Sequence, residues 1–406
     1  MDECRPTSGQ RLTLRSCCAA HISQDGFTSS IYILLPVLAQ TFSLGYGQVG
    51  MVRAAHSGAM WLLEIPSGIA AEKFGERRLL VFGLICAAFG YLAISFASGL
   101  PGVLLGLTIA GIGAAFQHSL CSSLVSKTFA GGARRRALGM YNSSGDVGKL
   151  AFTGAISVAL GMGVHWQGIT VSYFFIGLLV AGLIGVLLGR AQAGAEAQDA
   201  SAVRPDNTSA AVPQVGNRDW GVRHKGGFTA LTAIVFLDIA VQDGFLIFVA
   251  FVMVAKGIPA GFAASAVTLT LVGGVIGKFS CGLLSGRVGI VPALVLIQTM
   301  TAIGLIALIY TPSFGALILL PLMGVVLQGS STITYGAVSE LIRSDRQSRG
   351  FAAIYSMSNG ASIVGPITIG VVGDQFGLEA ALWTLACMIA TTILLSVFLR
   401  KGLAAV

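Results

Sequence analysis

The four residues Gln24-Asp25-Gly26-Phe27 recur as Gln242-Asp243-Gly244-Phe245, each time near the start of a long apolar run. An aspartate inside a bilayer-length segment costs about 2.5–3.5 kcal/mol on insertion scales, so such residues are rare and functional by default. Its appearance once in each half of the chain predicts a membrane protein built from two related halves, with polar groups lining a path between them.

Composition points the same way. Of 406 residues, 54% are hydrophobic and only 10% charged, with a mean hydropathy of +0.82. Soluble domains carry about 25% charged residues. The apolar runs divide into about twelve stretches of bilayer-spanning length. They lie near 18–42, 47–71, 78–99, 101–127, 137–162, 168–190, 227–255, 262–286, 289–311, 314–342, 350–373 and 378–400. Period-2 alternation is missing and the runs are too long for barrel strands. The expected fold is an all-α membrane protein, with about twelve transmembrane helices in two pseudo-symmetric six-helix halves. Residues 191–226, rich in Ala, Asp, Asn, Gln and Pro, read as a cytoplasmic linker that cannot bury enough surface to fold alone. The expected division is a cytoplasmic tail over 1–17, bundles over 18–190 and 227–400, and a second tail over 401–406.

The net charge of +8 is distributed against a nucleic-acid reading. Lys and Arg cluster after every second stretch: Arg77 and Arg78, Lys127 with Arg134–Arg136, Arg190 to Lys225, Arg287, Arg343 to Arg349, and Arg400-Lys401. Alternate loops are nearly bare, Lys256 excepted. This positive-inside pattern predicts a multi-pass protein with both termini cytoplasmic, in a bacterial inner membrane or its equivalent. The seven cysteines form no secreted framework, and the N-terminus reads as a retained first span rather than a cleaved signal. Gly145-Asp146-Val147-Gly148-Lys149 lacks the spacing of a phosphate loop. An ion gradient is therefore the expected energy source, with no cofactor and no enzymatic chemistry.

The halves align beyond the repeated tetrapeptide. Gly68 and Gly282 open similar loops 214 residues apart, whereas Asp25 and Asp243 are 218 apart. Arg136 and Tyr141 correspond to Arg349 and Tyr355. The loop Gly68-x-x-x-Glu72-Lys73-x-Gly75-x-Arg77-Arg78, with its weaker copy Gly282-x-x-x-Gly286-Arg287-x-Gly289, resembles the major facilitator superfamily over nearly all of 18–400. Glu72 stands where the family has Asp, Lys73 where it has Arg, and Glu76 at the next basic position. The resemblance implies that Gly68, Glu72, Lys73, Gly75 and Arg77 help latch the halves on the cytoplasmic side. A narrower likeness, to fosmidomycin-resistance-like transporters, rests on His21-x-x-x-Asp25-Gly26 with Leu35-Pro36, on Gly111-x-Gly113 with His118, and on Arg136 to Gly148. Ser119 and Phe152-Thr153 depart from that pattern.

Helical spacing sorts the polar residues into faces. His21, Asp25, Ser29, Tyr32 and Pro36 share one face of the first span, and Arg53, His56, Met60 and Glu64 one face of the second. Asp25, with Asp243 after it, is the expected proton-coupling residue; the alternative is a structural polar cluster. His21, Tyr32, Arg53, His56, His118 and Gln242 are expected to bind substrate. Arg53 suits an anionic group, since guanidinium grips carboxylate or phosphonate bidentately; it could equally be a permanent partner of Asp25. Glu64 and Lys278, repeat-equivalent and opposite in sign, could meet as a gate. Asp146 and Lys149 could pair within one helix. No metal site is expected, although His21, His56, His118 and Cys121 invite that test. The expected function is alternating-access secondary transport, as proton-coupled export of a small organic solute by a monomer that needs only substrate, protons and lipid. Import of a nutrient or transition metal is one alternative. A non-transporting sensor or scaffold on the same fold is another.

Overall fold

Several of the polar residues just described lie on helices that are long but not strongly apolar. In a computed structural model, the chain forms α1 (Ser8–Phe42), α2 (Tyr46–Phe74), α3 (Glu76–Ser95), α4 (Leu100–Ala114), α5 (His118–Thr128), α6 (Gly131–Gly161) and α7 (Trp166–Arg190). It continues with α8 (Lys225–Ala255), α9 (Ala260–Ala263), α10 (Ser265–Val288), α11 (Ile290–Tyr310), α12 (Ser313–Leu341) and α13 (Gln347–Ala404). The structure describes residues 6–129, 131–194, 221–343 and 347–404. Most of the expected linker, 195–220, therefore lies outside the described residues, as do the side chains of Glu72, Arg136 and Arg349.

Among the described residues, eight helical stretches are apolar and long enough to span a membrane, counting α4 and α5 as one. The last of them, 353–404, contains two spans because Gly377 breaks α13 with φ +85°. The helices α1, α2 and α6 do not qualify by hydropathy, yet their lengths of 35, 29 and 31 residues suffice. With them the total reaches twelve spans, as expected. They need no lipid-facing apolar surface all round, because the polar faces of α1 and α2 are buried against other helices.

Two boundaries differ from expectation. The helix of the first span starts at Ser8 rather than near 18. Thr7 caps it by accepting the Gln10 N–H, while the Gln10 side chain accepts the Thr7 N–H. The fourth span is not one helix: residues 115–117 form a turn between α4 and α5, and His118 opens the second piece.

The twofold repeat is visible in the backbone. Left-handed φ occurs at Ser43 and Gly257, Gly75 and Gly289, and Gly163 and Gly377, each pair 214 residues apart. Each pair marks the same inter-helix turn in the two halves. This register corrects one expectation. Counted from these turns, Asp25 corresponds to Ile239, and Asp243 to Ser29. The two repeated aspartates therefore sit one helical turn out of register.

The halves press together at the end that carries the loop 43–45. Gly50 on α2 lies so close to the Pro366 carbonyl on α13 that a β-carbon would come within 2.4 Å of it. Gly370 meets the Tyr46 carbonyl in the same way. The Asp374 carboxylate accepts the Tyr46 and Gly47 N–H groups at 2.6 and 2.7 Å, capping α2 from the opposite half. The Tyr46 ring meets Phe248 and Phe251 edge-on.

Candidate functional site

Between the halves lies a cavity of about 560 Å³. Asp25, Tyr32, Arg53, Glu64, His118 and Lys149 reach it from the N-terminal half, and Asp243, Gln328, Tyr335, Tyr355 and Asn359 from the other. The volume suits a small organic molecule.

Asp25 is the hub of the N-terminal wall. His21 Nε2 stands 3.3 Å from its Oδ2, Lys149 Nζ 3.3 Å from the same oxygen, and His118 Nε2 3.5 Å from Oδ1. The Gly145 and Gly148 pair explains how Lys149 gets there. A β-carbon at Gly148 would lie 2.2 Å from the Ile22 carbonyl, and one at Gly145 would strike His21 and Asp25. Only glycine lets α6 approach α1 this closely. His21 itself is held from behind: its Nδ1 lies 2.7 Å from the Tyr141 carbonyl, and its ring stacks on the Tyr141 ring at 4.3 Å.

From Asp25 a line of alternating charge runs from one half to the other. Lys149 also touches Asp146 at 3.5 Å, and Asp146 accepts a 2.6 Å hydrogen bond from Lys278 on α10 of the opposite half. Asp146 and Lys149 thus do pair within α6, but as the middle of a longer chain. Lys278 does not meet Glu64; Glu64 instead accepts from the Asn359 amide at 3.0 Å. The two repeat-equivalent charges take separate partners because each already faces one on the other half.

Arg53 belongs to a second group. It donates to the Tyr32 hydroxyl at 3.0 Å and to His56 Nδ1 at 3.3 Å, and lies over the Tyr32 ring. Tyr32 in turn donates to Asp243 at 3.0 Å. Arg53 is therefore joined to Asp243 through a hydroxyl and is not the partner of Asp25. Its buried Nε has no acceptor, which leaves one unfilled donor beside the cavity.

Three expected substrate contacts lie behind the wall rather than on it. His21 is screened by Asp25, and His56, 1% exposed, by Arg53. Gln242 turns into the C-terminal half, where it and Ser330 donate to Asp238 Oδ2 at 2.9 and 2.7 Å, and Gln298 donates to Oδ1 at 3.1 Å. Of the expected latch, Gly75 takes the left-handed turn between α2 and α3, and Lys73 lies over Phe74. The Arg77 N–H donates to the Gly194 carbonyl, and Glu76, buried, pairs with Lys127 on α5. These contacts all lie on the N-terminal side of the linker. Gly68 has open space around it. Lys149 and His118 are contacts of Asp25 that the sequence reading did not pair with it; the signal for Lys149 was Gly145 and Gly148 in the turn leading to it.

Comparison with known proteins places this geometry. Over part of its length the chain is 26% identical to the fosmidomycin resistance protein of Escherichia coli (strain K12), across 162 residues that make up 40% of this chain and 39% of that protein. It is 27% identical to the chloroplastic ascorbate transporter of Arabidopsis thaliana, over 38% of this chain and 28% of the relative. It is 28% identical to the quinolone resistance protein NorB of Staphylococcus aureus (strain JH9), over 39% and 34%. Each match spans well under half of the relative's length. Solved structures agree in fold over nearly the whole chain. A bacterial homolog of the human lysosomal transporter Spinster, inward-facing and unoccupied, superposes with a TM-score of 0.73 at 16% identity, covering 99% of this chain and 97% of that one. A point mutant of the nucleoside transporter NupG gives 0.72 at 14%, covering 96% and 99%. The sequence model of the Major Facilitator Superfamily matches residues 17–237 and 228–404. The chain belongs to the Major Facilitator Superfamily.

Proposed function

We propose that this transporter exports a small organic solute in exchange for protons, and that Asp25 is where the proton acts. The observation that carries this reading is the line Asp25–Lys149–Asp146–Lys278, which starts in the cavity wall and ends on the opposite half. Lys149 divides its charge between two carboxylates. When Asp25 is neutralised, Lys149 is free to satisfy Asp146. Asp146 then holds Lys278 less tightly, and one tie between the halves weakens. Loss of the proton from Asp25 reverses each step. A charge change of one unit in the wall thus alters a contact that must break for the halves to rock.

Arg53 and Tyr32, with Asp243 beyond them, form the recognition surface. The Arg53 guanidinium lines the cavity, and its charge gives an anionic group a partner there. On the positive-inside reading the 43–45 end faces away from the cytoplasm, and an arrangement tied at that end would load from the cytoplasm. Relatives named for fosmidomycin and quinolone resistance favour outward movement, whereas one named for ascorbate transport keeps uptake as the second reading.

The test is accumulation of antibiotics, organic anions and metals in cells with and without the protein, before and after a proton uncoupler. Lower accumulation that the uncoupler abolishes is the expected result. Higher accumulation of any panel member would replace export with uptake.

A further inference from the structure

We propose that His21, Asp25 and His118 form a binding site for a divalent transition metal ion of the zinc class, and that Lys149 competes with the metal for it. The proposal goes beyond proton-coupled export, and its test reads binding rather than transport, so either can fail without the other.

The first observation is spacing. Ligand atoms from these three residues all lie within 4.8 Å of one another. Zinc binds imidazole nitrogen and carboxylate oxygen at about 2.0–2.2 Å in a tetrahedral set, which puts neighbouring ligand atoms about 3.3 Å apart. His21 Nε2 to Asp25 Oδ2 is 3.3 Å, and His118 Nε2 to Asp25 Oδ1 is 3.5 Å. Two nitrogens and a carboxylate suit zinc, cobalt or a similar ion better than calcium or magnesium, which prefer all-oxygen shells.

The second observation fixes the direction of a lone pair. The atom facing His21 Nδ1 is the Tyr141 carbonyl, which can only accept. Nδ1 therefore carries the ring proton. A backbone carbonyl behind a ring nitrogen is the arrangement that orients metal-binding histidines. It leaves Nε2 of the neutral ring pointing its lone pair at a carboxylate oxygen. Two such atoms at that distance are held together by positive charge, either a proton on Nε2 or a metal ion between them.

Lys149 supplies part of that charge, 3.3 Å from Asp25. It also has somewhere to go, because Asp146 is already 3.5 Å away. A metal at Asp25 would push the ammonium toward Asp146 and leave it paired. His118 is 41% exposed at its side chain and borders the cavity, so an ion can reach the site from there. His21 lies behind and closes the set.

The experiment is titration of the purified, lipid-embedded full chain with Co²⁺ alone and then Zn²⁺, following the visible ligand-field bands of Co²⁺. One ion per chain is expected, in a tetrahedral nitrogen–oxygen environment without a thiolate charge-transfer band, and displaced by Zn²⁺. His21→Ala and His118→Ala should each weaken binding at least about tenfold. Lys149→Gln should tighten it at least about tenfold, since removing a cation beside a divalent ion removes repulsion. That gain of affinity cannot arise from misfolding. A thiolate band would assign the ion to buried Cys17 or Cys121 and overturn the proposal. So would unchanged or weaker binding in Lys149→Gln, or no saturable binding at millimolar metal in either protein.

Discussion

The two halves share a backbone repeat and differ in the chemistry placed on it. At the 214-residue offset of the shared turns, Asp25, His118, Asp146 and Lys149 correspond to Ile239, Thr332, Gly360 and Ile363. The N-terminal half gathers four titratable groups where the C-terminal half has none. The buried acid of the C-terminal half, Asp238, is surrounded by two amides and a hydroxyl, all from that same half. One carboxylate is held by cations that can change partners. The other is held by neutral donors that cannot. The difference teaches that the repeat supplies two rigid bodies, while exchangeable charge sits on one of them and reaches the other directly through Lys278.

Asp25→Asn should have the largest effect. Removing the charge frees Lys149 permanently, so the tie through Asp146 no longer responds to a proton. Gradient-driven transport should be lost completely, while exchange of substrate across the membrane without a gradient persists. Reconstituted vesicles with and without an imposed pH gradient would check this. Retained gradient-driven accumulation would remove Asp25 from coupling and erase the distinction drawn between the halves.

Next comes the tie itself. Breaking a fully buried ion pair costs about 3–5 kcal/mol. Asp146 and Lys278 are 23% and 33% exposed at their side chains, so Lys278→Ala should cost less than that range. The charge swap Asp146→Lys with Lys278→Asp should recover part of the loss, because the pair is restored while Lys149 gains an unfavourable neighbour. Thermal stability of the single and double variants forms the cycle. Additive losses would mean that the two side chains do not act as a pair.

Much of this was legible in the sequence, and the reasons are physical. Twelve spans follow from apolar run length, which the bilayer sets directly. The twofold repeat follows from the Gly68 and Gly282 loops, whose offset is the one the left-handed turns share. The tetrapeptide around Asp25 and Asp243 misleads by one turn. Four identical residues align by eye, but a helix has no marker of depth until its end is known. Pairing of charges was the least legible. Helical spacing puts residues on a face, yet it does not say which helix that face meets. Lys149 reached Asp25 through a helix contact made by glycine, a residue that carries no polar signal of its own. Gln242 was misplaced for the same reason, since its face meets α12 rather than the cavity.

A smaller effect is expected at the closed end. Asp374 caps α2 across the halves, and loss of an N-cap acceptor typically costs about 1 kcal/mol. The Asp374→Ala variant should therefore favour separation of the halves at the 43–45 loop by roughly fivefold. Faster labelling of a thiol introduced by Leu44→Cys, in a background with the native cysteines replaced by serine, would report it. An unchanged labelling rate would show that the glycine contacts at Gly50 and Gly370 hold this end without the cap.

The smallest effect should come from Asp238→Asn, and it is the sharpest test of the comparison. At present Ser330 and Gln242 donate to one oxygen and Gln298 to the other. The carbonyl oxygen of Gln298 is buried without a partner. Asparagine can keep its own oxygen toward Ser330 and Gln242 and turn its NH₂ toward Gln298. Gln298 then rotates its amide and accepts with the oxygen that was idle. One amide atom of Gln298 lacks a partner before the change and one lacks it after, so the number of unsatisfied groups is the same. Stability should fall by less than about 1 kcal/mol, the ordinary worth of one net hydrogen bond, and gradient-driven transport should persist. The same chemical change at Asp25 has no such remedy, because the partners there are charges and an amide cannot balance them. If Asp238→Asn abolished transport as Asp25→Asn should, the neutral cage would be a second proton site, and the two halves would differ in partner chemistry but not in role.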